Sequence, residues 1–210
     1  MTQDPRYVRP PALLAVIEES RRFGFLGPGD LGPQLDHAEG FARAAGVVPG
    51  AFLDLGSGGG LPGLVLALCW PAARGVLLDA MVRRTDFLQL AVEQLGLADR
   101  IAVVCSRAED AARTDLRGRF EVVTARSFGP PAVTAECAAG LLADGGILVV
   151  SEPPEGGADR WNPDGLALLG FAPAEPLSGE PRFVRMARRG APADRWPRRV
   201  GVPAKRPLWA

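Results

Sequence analysis

The stretch "FLDLGSGGGLPGLVLAL", Phe52 to Leu68, runs from an apolar segment into three alternating glycines, Gly56, Gly58 and Gly60, and out into a second apolar segment. This predicts a strand, a tight turn and a helix opened by Pro62, a first-turn position where the missing N–H costs nothing. Glycines there permit the turn and let a ligand lie against bare main chain. The arrangement points to a nucleotide-type cofactor. Residues 58–63 also spell G-x-G-x-x-G, a dinucleotide fingerprint that is weak by itself.

From Ala51 onward, short apolar runs alternate with helical spacing. Strands are predicted at 51–55, 75–79, 101–105, 121–124 and 146–151, followed by a helix near Pro163 to Leu169 and two weaker strands near Phe171 and from Phe183 to Ala187. Runs that are apolar throughout suit strands covered on both faces. The fold class is therefore α/β. The predicted arrangement is a Rossmann-like, mostly parallel seven-stranded sheet with helices on both faces, the class I methyltransferase version of the doubly wound fold. Ahead of it, Leu13, Leu14, Ile17 and Phe23 share one helical face, and a second helix is predicted from Gln34 to Ala45 after the joint "GPGDLGP". The expected division is a helical appendage over 1–50, a cofactor domain over 51–189 and a basic tail over 190–210. That tail looks too rich in Pro and Arg to pack.

The chain has 210 residues, and its 24 basic and 24 acidic side chains cancel. No global field commits it to nucleic acid or membrane. Between Arg182 and Arg206, however, nine cations face one acid, Asp194, so a polyanion would meet the C-terminal region first, unless the run is merely a solvated face. Cys69, Cys105 and Cys137 are widely spaced within apolar runs and read as buried thiols. With one histidine in the chain, no metal site is expected. No apolar run approaches the roughly 20 residues of a membrane span, and the opening "MTQDPRYVRPP" lacks the regions of a signal peptide. A cytoplasmic location is the expectation.

Acids at the strand ends discriminate between cofactors. Asp54 stands directly before the glycine turn, where it would oppose a pyrophosphate but attract the sulfonium and ammonium of S-adenosylmethionine. Asp79 ends the next strand, where a ribose hydroxyl pair would be accepted. Ala108 and Glu109, in "SRAED" after the third strand, would border an adenine. Each acid alone could equally cap a turn or a helix. Arg126 ends the fourth strand and could hold the cofactor carboxylate or the acceptor's phosphate and O6 edge; a salt bridge to Asp79 or Glu109 is the structural alternative.

Methyl transfer chiefly requires an aligned electron pair. His37 reads as a surface or capping residue rather than a base. The segment "TARSFGPP" is not the turn expected for methylating an exocyclic amine, and Cys137 is not placed like a pyrimidine-attacking nucleophile. An acceptor needing no deprotonation survives this elimination, and guanine N7 is one.

Five segments, "LDLGSGGGLPGLVLAL", "LLDAMVRRTDFLQ", "SRAED", "TARSFG" and the tail "PRRVGVPAKRPL" (Pro197 to Leu208), together resemble the bacterial small-subunit ribosomal RNA guanine-N7 methyltransferases, the RsmG or glucose-inhibited division protein B family. The resemblance spans roughly Ala51 to Leu208. It implies S-adenosylmethionine as cofactor, 16S ribosomal RNA or the small ribosomal subunit as partner, and cofactor contacts at Gly56, Leu61, Ala108, Glu109 and Arg126 with Asp79 at the ribose. The tail cations Arg198, Arg199, Lys205 and Arg206 are then the expected RNA contacts. The chain reads as a divergent member. Its N-terminal region keeps only a loose echo of the family pattern around His37, and Ser151-Glu152-Pro153-Pro154 stands where the family usually has Lys-Gly. Glu152 near a nucleic acid would weaken phosphate attraction. Three rivals stay open: a small-molecule methyltransferase, a non-catalytic RNA-binding or assembly factor that keeps the pocket, and an NAD-dependent oxidoreductase, which Asp54 disfavours.

Overall fold

In a computed structural model of the chain, which describes residues 8–191 and 193–210, the glycine stretch joins strand β1 (Ala51–Leu55) to helix α3 (Gly63–Cys69). Residues 1–7, the start of the expected appendage, lie outside the described residues. Two helices precede the joint, α1 (Pro11–Arg22) and α2 (Leu31–Ala45). After it come β2 (Arg74–Asp79), α4 (Val82–Gln94), β3 (Ile101–Cys105), α5 (Ala108–Ala111), β4 (Phe120–Ala125), α6 (Pro131–Ala139) and β5 (Leu142–Ser151). The remainder is α7 (Pro163–Leu168), β6 (Glu175–Leu177), β7 (Phe183–Ala187) and α8 (Val202–Lys205).

The seven strands form one sheet in the order β3-β2-β1-β4-β5-β7-β6. The first five run parallel, while β7 lies antiparallel to β5 and to β6. Sequence had put one of the weak strands near Phe171. That residue makes only an isolated bridge to Arg188, and the strand forms at Glu175–Leu177 instead.

Each strand sends alternate side chains to opposite faces, and both faces are covered. From β1, Phe52 joins a core with α1, α2, α3 and α4 that includes Leu13, Ile17, Phe41, Leu64 and Leu88. Leu53 and Leu55 enter the other core, with Ala135, Leu166 and Trp196. Full burial of side chains of this size contributes about 1.5–3 kcal/mol each. Cys69 and Cys137 are buried as expected, but Cys105, the last residue of β3, is exposed.

Asp54 points from β1 toward α3 and is 1 % exposed. Its Oδ2 accepts from the Gly63 N–H at 3.0 Å, and its Oδ1 accepts from the Thr124 hydroxyl on β4 at 2.9 Å. One carboxylate thereby fastens the helix start and two neighbouring strands. Burial pushes its pKa up to about 6, against the downward pull of bonds from Thr124, Ser57 and Gly63 and of the Arg126 charge.

The C-terminal segment contradicts the expectation that it would not pack. Trp196 is buried, and its indole N–H donates to the Leu168 carbonyl at 3.2 Å. Arg198 donates through its backbone N–H and Nε to Oε1 of Glu136 at 2.9 and 2.8 Å, and through Nη2 to Oε2 at 2.6 Å. Glu136 lies in α6 and is wholly buried. Arg113 holds the Pro197 carbonyl at 2.8 Å, and the Gly201 N–H donates to Glu109 at 2.9 Å. The run of cations is therefore not merely a solvated face: beyond β7 its backbone is satisfied in part by arginines and carboxylates of the folded domain, while Arg199, Lys205 and Arg206 stay exposed. Arg198, expected to contact RNA, is instead an internal partner of Glu136.

Two measurements test these anchors. Stability contributed by the raised Asp54 pKa is complete below the ordinary aspartate value of about 4 and is lost as pH rises through about 6. Urea unfolding of the wild type should therefore lose about 2–3 kcal/mol relative to Asp54→Asn between pH 4 and pH 7; parallel profiles would show that Asp54 does not take up the proton. Arg198→Met strands a buried carboxylate and is expected to cost about 3 kcal/mol, whereas exposed Lys205→Ala should stay within about 0.5 kcal/mol. Equal urea midpoints for the two variants would refute the anchoring role.

Candidate functional site

Parallel strands β1, β2 and β4 bring Asp54, Asp79 and Arg126 to one sheet edge, the carboxyl-end crevice where open α/β sheets bind ligands. The glycine turn forms its floor. Gly56 (φ +73°) lies under Phe128, whose ring a Cβ there would approach to 2.7 Å. Gly58 (φ +54°) differs: a Cβ there would meet only the Gly56 carbonyl oxygen, at 3.7 Å, so the space beside it is not filled by side chains. Gly60 serves packing, since a Cβ would fall 2.5 Å from a Leu64 methyl.

The amides of this turn are largely committed. The N–H groups of Gly56 and Ser57 donate to the Leu78 carbonyl at 2.8 and 3.0 Å, that of Gly60 to Ser57 at 2.8 Å, and that of Gly58 to Asp79 at 2.9 Å. At the start of α3 the Gly63 N–H belongs to Asp54. A pyrophosphate would find neither a row of free donors nor a free helix terminus, which disfavours a dinucleotide on geometry as well as on charge.

The three acids are placed together at this edge but are turned toward the protein. Asp54 is engaged as above, and its effect on a ligand is a through-space field. Asp79, 5 % exposed, accepts from the Gly58 and Met81 N–H groups, both at 2.9 Å, and faces Arg84 at 3.5 Å. Two of its four lone-pair positions remain for hydroxyls. Glu109, 8 % exposed, takes the Gly201 N–H, so the acid expected at the adenine is also the dock of the C-terminal segment. Ala108 and Leu61 are both 5 % exposed and supply apolar wall. The N-terminal region reaches the floor too, because the Ser20 hydroxyl donates to the Gly59 carbonyl at 2.8 Å.

Arg126 forms no ion pair with Asp79 or Glu109; its Nη1 is enclosed and without a hydrogen-bond partner. Burial lowers its pKa, opposed by the field of Asp54. Among the described residues four enclosed side-chain polar atoms lack partners: Arg126 Nη1, Arg84 Nε beside Asp79, His37 Nε2, and Oε1 of Gln34, one turn before His37 on α2. Unsatisfied buried groups cost free energy, and three of these atoms belong to residues at the crevice or its adjoining cavity, Arg126, Arg84 and His37.

Next to Arg126 the crevice continues as a cavity of about 340 Å³ whose lining includes His37, Ser127, Phe128, Glu152, Arg160 and Trp161. Ser127 holds φ +53°, unusual for a residue with a side chain, at the turn that leads from Arg126 to Phe128. Sequence reading placed His37 at the surface; α2 instead carries it half-buried into this wall. Burial first, and then the Arg126 charge, bring its pKa down to about 4, so the imidazole is neutral at pH 7. Being the only histidine was a signal; which helix face it occupied was not readable. Glu152 does not confront a ligand as a free anion, because Arg160 Nη1 and Trp161 Nε1 donate to its carboxylate at 2.6 and 3.0 Å. Of the expected RNA contacts, Arg199, Lys205 and Arg206 are exposed, with no ion pair among the described residues. No group of three or more His, Cys, Asp or Glu among the described residues is placed to hold a metal, and none of their helices is long and apolar enough to cross a membrane.

Cofactor-bound Rv0187 from MTB superposes with a TM-score of 0.63 at 19 % identity, over 89 % of this chain and 94 % of that one. An O-methyltransferase from Bacillus cereus in complex with SAH gives 0.63 at 16 % over the same shares. At such identities the likeness establishes the fold, a class I methyltransferase arrangement. In sequence, the ribosomal RNA small subunit methyltransferase G of Rubrobacter xylanophilus is 39 % identical over 181 residues, 79 % of this chain but 66 % of the relative's length. That of Syntrophomonas wolfei is 29 % identical over 205 residues, 92 % of this chain and 95 % of its own. The family model described as rRNA small subunit methyltransferase G matches residues 35–152, more than half of the chain. The chain belongs to the GidB family of rRNA small subunit methyltransferases G.

Proposed function

We propose that the protein transfers a methyl group from S-adenosylmethionine to guanine N7 in 16S ribosomal RNA. The observation that carries the cofactor half is the pair of unpartnered donors, Arg126 Nη1 and Arg84 Nε, at the crevice of a glycine turn with open space at Gly58. The residues fit the group in charge as well as shape. Arg126 Nη1 would take the carboxylate, a role the committed loop amides cannot fill. Asp79 would accept the ribose hydroxyls with Arg84 alongside, and Leu61, Ala108 and Glu109 would flank the adenine. Asp54 and Asp79 supply the negative field that a sulfonium and an ammonium require. When bound, the cofactor supplies an electrophilic methyl carbon on sulfur.

The acceptor half rests on family membership and on the chemistry of the adjoining cavity. No side chain at the cavity wall is suited to deprotonating an acceptor at neutral pH: Glu152 is tied up by Arg160 and Trp161, and His37 is too weakly basic. A purine N7 needs no base. For RNA attraction the exposed Arg199, Lys205 and Arg206 remain, with Arg160 at the cavity itself.

Three experiments test this reading. Small subunits isolated from a strain lacking the modification, incubated with the protein and methyl-labelled cofactor, should incorporate label at N7 of a guanine. Good cofactor binding without incorporation into subunits or naked rRNA would reject the substrate. The triple variant Arg199→Ala, Lys205→Ala, Arg206→Ala should lower the slope of log affinity for rRNA against log salt by roughly 2–3, and an unchanged slope would remove the tail from the RNA contact. For the cofactor, Gly58→Asp places a carboxylate in the open space, and affinity by calorimetry should fall about 100-fold or more while the fold persists by circular dichroism. Wild-type affinity in that variant would move the cofactor away from the glycine turn.

A further inference from the structure

Resting on the guanine-N7 reading of the site, we infer that His37 contacts the acceptor base, accepting a hydrogen bond from the N–H groups of its Watson–Crick edge while N7 faces the methyl donor. The placement comes first. His37 stands on the wall of the cavity that adjoins Arg126, contributed by α2, whereas the opposite lining comes from the segments after β4 and β5. Its ring is held by parallel stacking on Phe41 at 5.7 Å and edgewise by Phe183 at 5.5 Å. Neither ring nitrogen has a hydrogen bond among the described residues; Nε2 is enclosed and Nδ1 is not, which leaves Nδ1 to meet a ligand. An imidazole fixed by two aromatic rings yet left without polar partners is oriented for a group that arrives later.

The chemistry of the reaction then selects which group. The N7 electron pair forms the new bond to carbon as the carbon–sulfur bond breaks, its electron pair staying with sulfur. No proton leaves, so the positive charge passes to the purine. That charge strengthens N1–H and the 2-amino group as donors, and a hydrogen bond from them to a neutral imidazole grows stronger along the reaction. Interactions that strengthen toward the transition state are the ones that accelerate it. Burial and the nearby Arg126 keep the imidazole neutral, with a lone pair to offer. A protonated ring could only donate and would repel the developing charge. Adenine presents a bare N1 on the same edge, lone pair against lone pair, so the contact also selects guanine.

The single histidine makes the test direct, because ring ¹⁵N labelling of the untagged chain reports one imidazole. With S-adenosylhomocysteine bound, guanosine 5′-monophosphate should shift the ring resonances and adenosine 5′-monophosphate should leave them in place. In turnover on small-subunit rRNA, His37→Phe, which keeps the stacking, should lower kcat about 10- to 100-fold with a smaller change in KM, and His37→Gln, which restores an acceptor, should recover part of it. Cofactor affinity should match the wild type in both. An imidazole unmoved by the guanine nucleotide, or a His37→Phe enzyme with wild-type kcat, would overturn the contact. A guanine-induced shift in a wild-type protein that methylates no rRNA would support the contact and reject the rRNA substrate instead.

Discussion

A single buried carboxylate, Asp54, holds the joint on which the site depends. It is bonded at once to the first N–H of α3 and to the Thr124 hydroxyl on the neighbouring strand, so the glycine turn between them has little freedom. Asp79 repeats the device from the next strand by taking the Gly58 N–H. The turn is thus suspended between two acids, while the N–H groups of Gly56, Ser57 and Gly60 are taken by backbone carbonyls. Where a phosphate-binding loop leaves amides free for an anion, this one has spent them and surrounds itself with negative field. A cationic ligand is favoured by the field of these two buried carboxylates.

This refines how the acids act. The sequence suggested direct attraction by carboxylates lining a crevice, and their near-complete burial shows each working through the protein as well. Glu109 is the clearest case, since it ties the C-terminal segment to the wall where an adenine is expected. The same segment reaches the other end of the site, where the Trp209 indole donates to the Arg160 carbonyl at 3.2 Å and packs over Gly165. The wall at Glu109 and the cavity at Arg160 are therefore braced by one stretch of chain.

Most of the strands were legible because period and composition are local properties, and apolar runs such as Ile101–Cys105 have few other uses. The glycine turn and its strand-end acids were legible for the same reason. What escaped were pairings between residues far apart in the chain. Arg198 and Glu136 are 62 positions apart, and Gly201 and Glu109 are 92 apart. A cluster of arginines and prolines carries no mark of whether carboxylates await it inside the fold. His37 escaped because the direction in which α2 crosses the sheet is set by packing of Leu35, Phe41 and Phe183. Strand β6 escaped because its proline and glutamate resemble a loop until β7 lies beside them.

Glu152 illustrates how a local change of charge sign misleads. In isolation it predicts repulsion of phosphate, but the folded chain binds it to Arg160 and to Trp161. The anion fixes a guanidinium at the cavity, so the local balance is close to neutral and the cation remains the more exposed partner. Methyl transfer moves positive charge from the donor side to the acceptor side. The field of the buried Asp54 and Asp79 beside the glycine turn suits a ligand that arrives cationic. A neutral imidazole with a compensated Glu152–Arg160 pair, rather than a bare cation, suits an acceptor that becomes so.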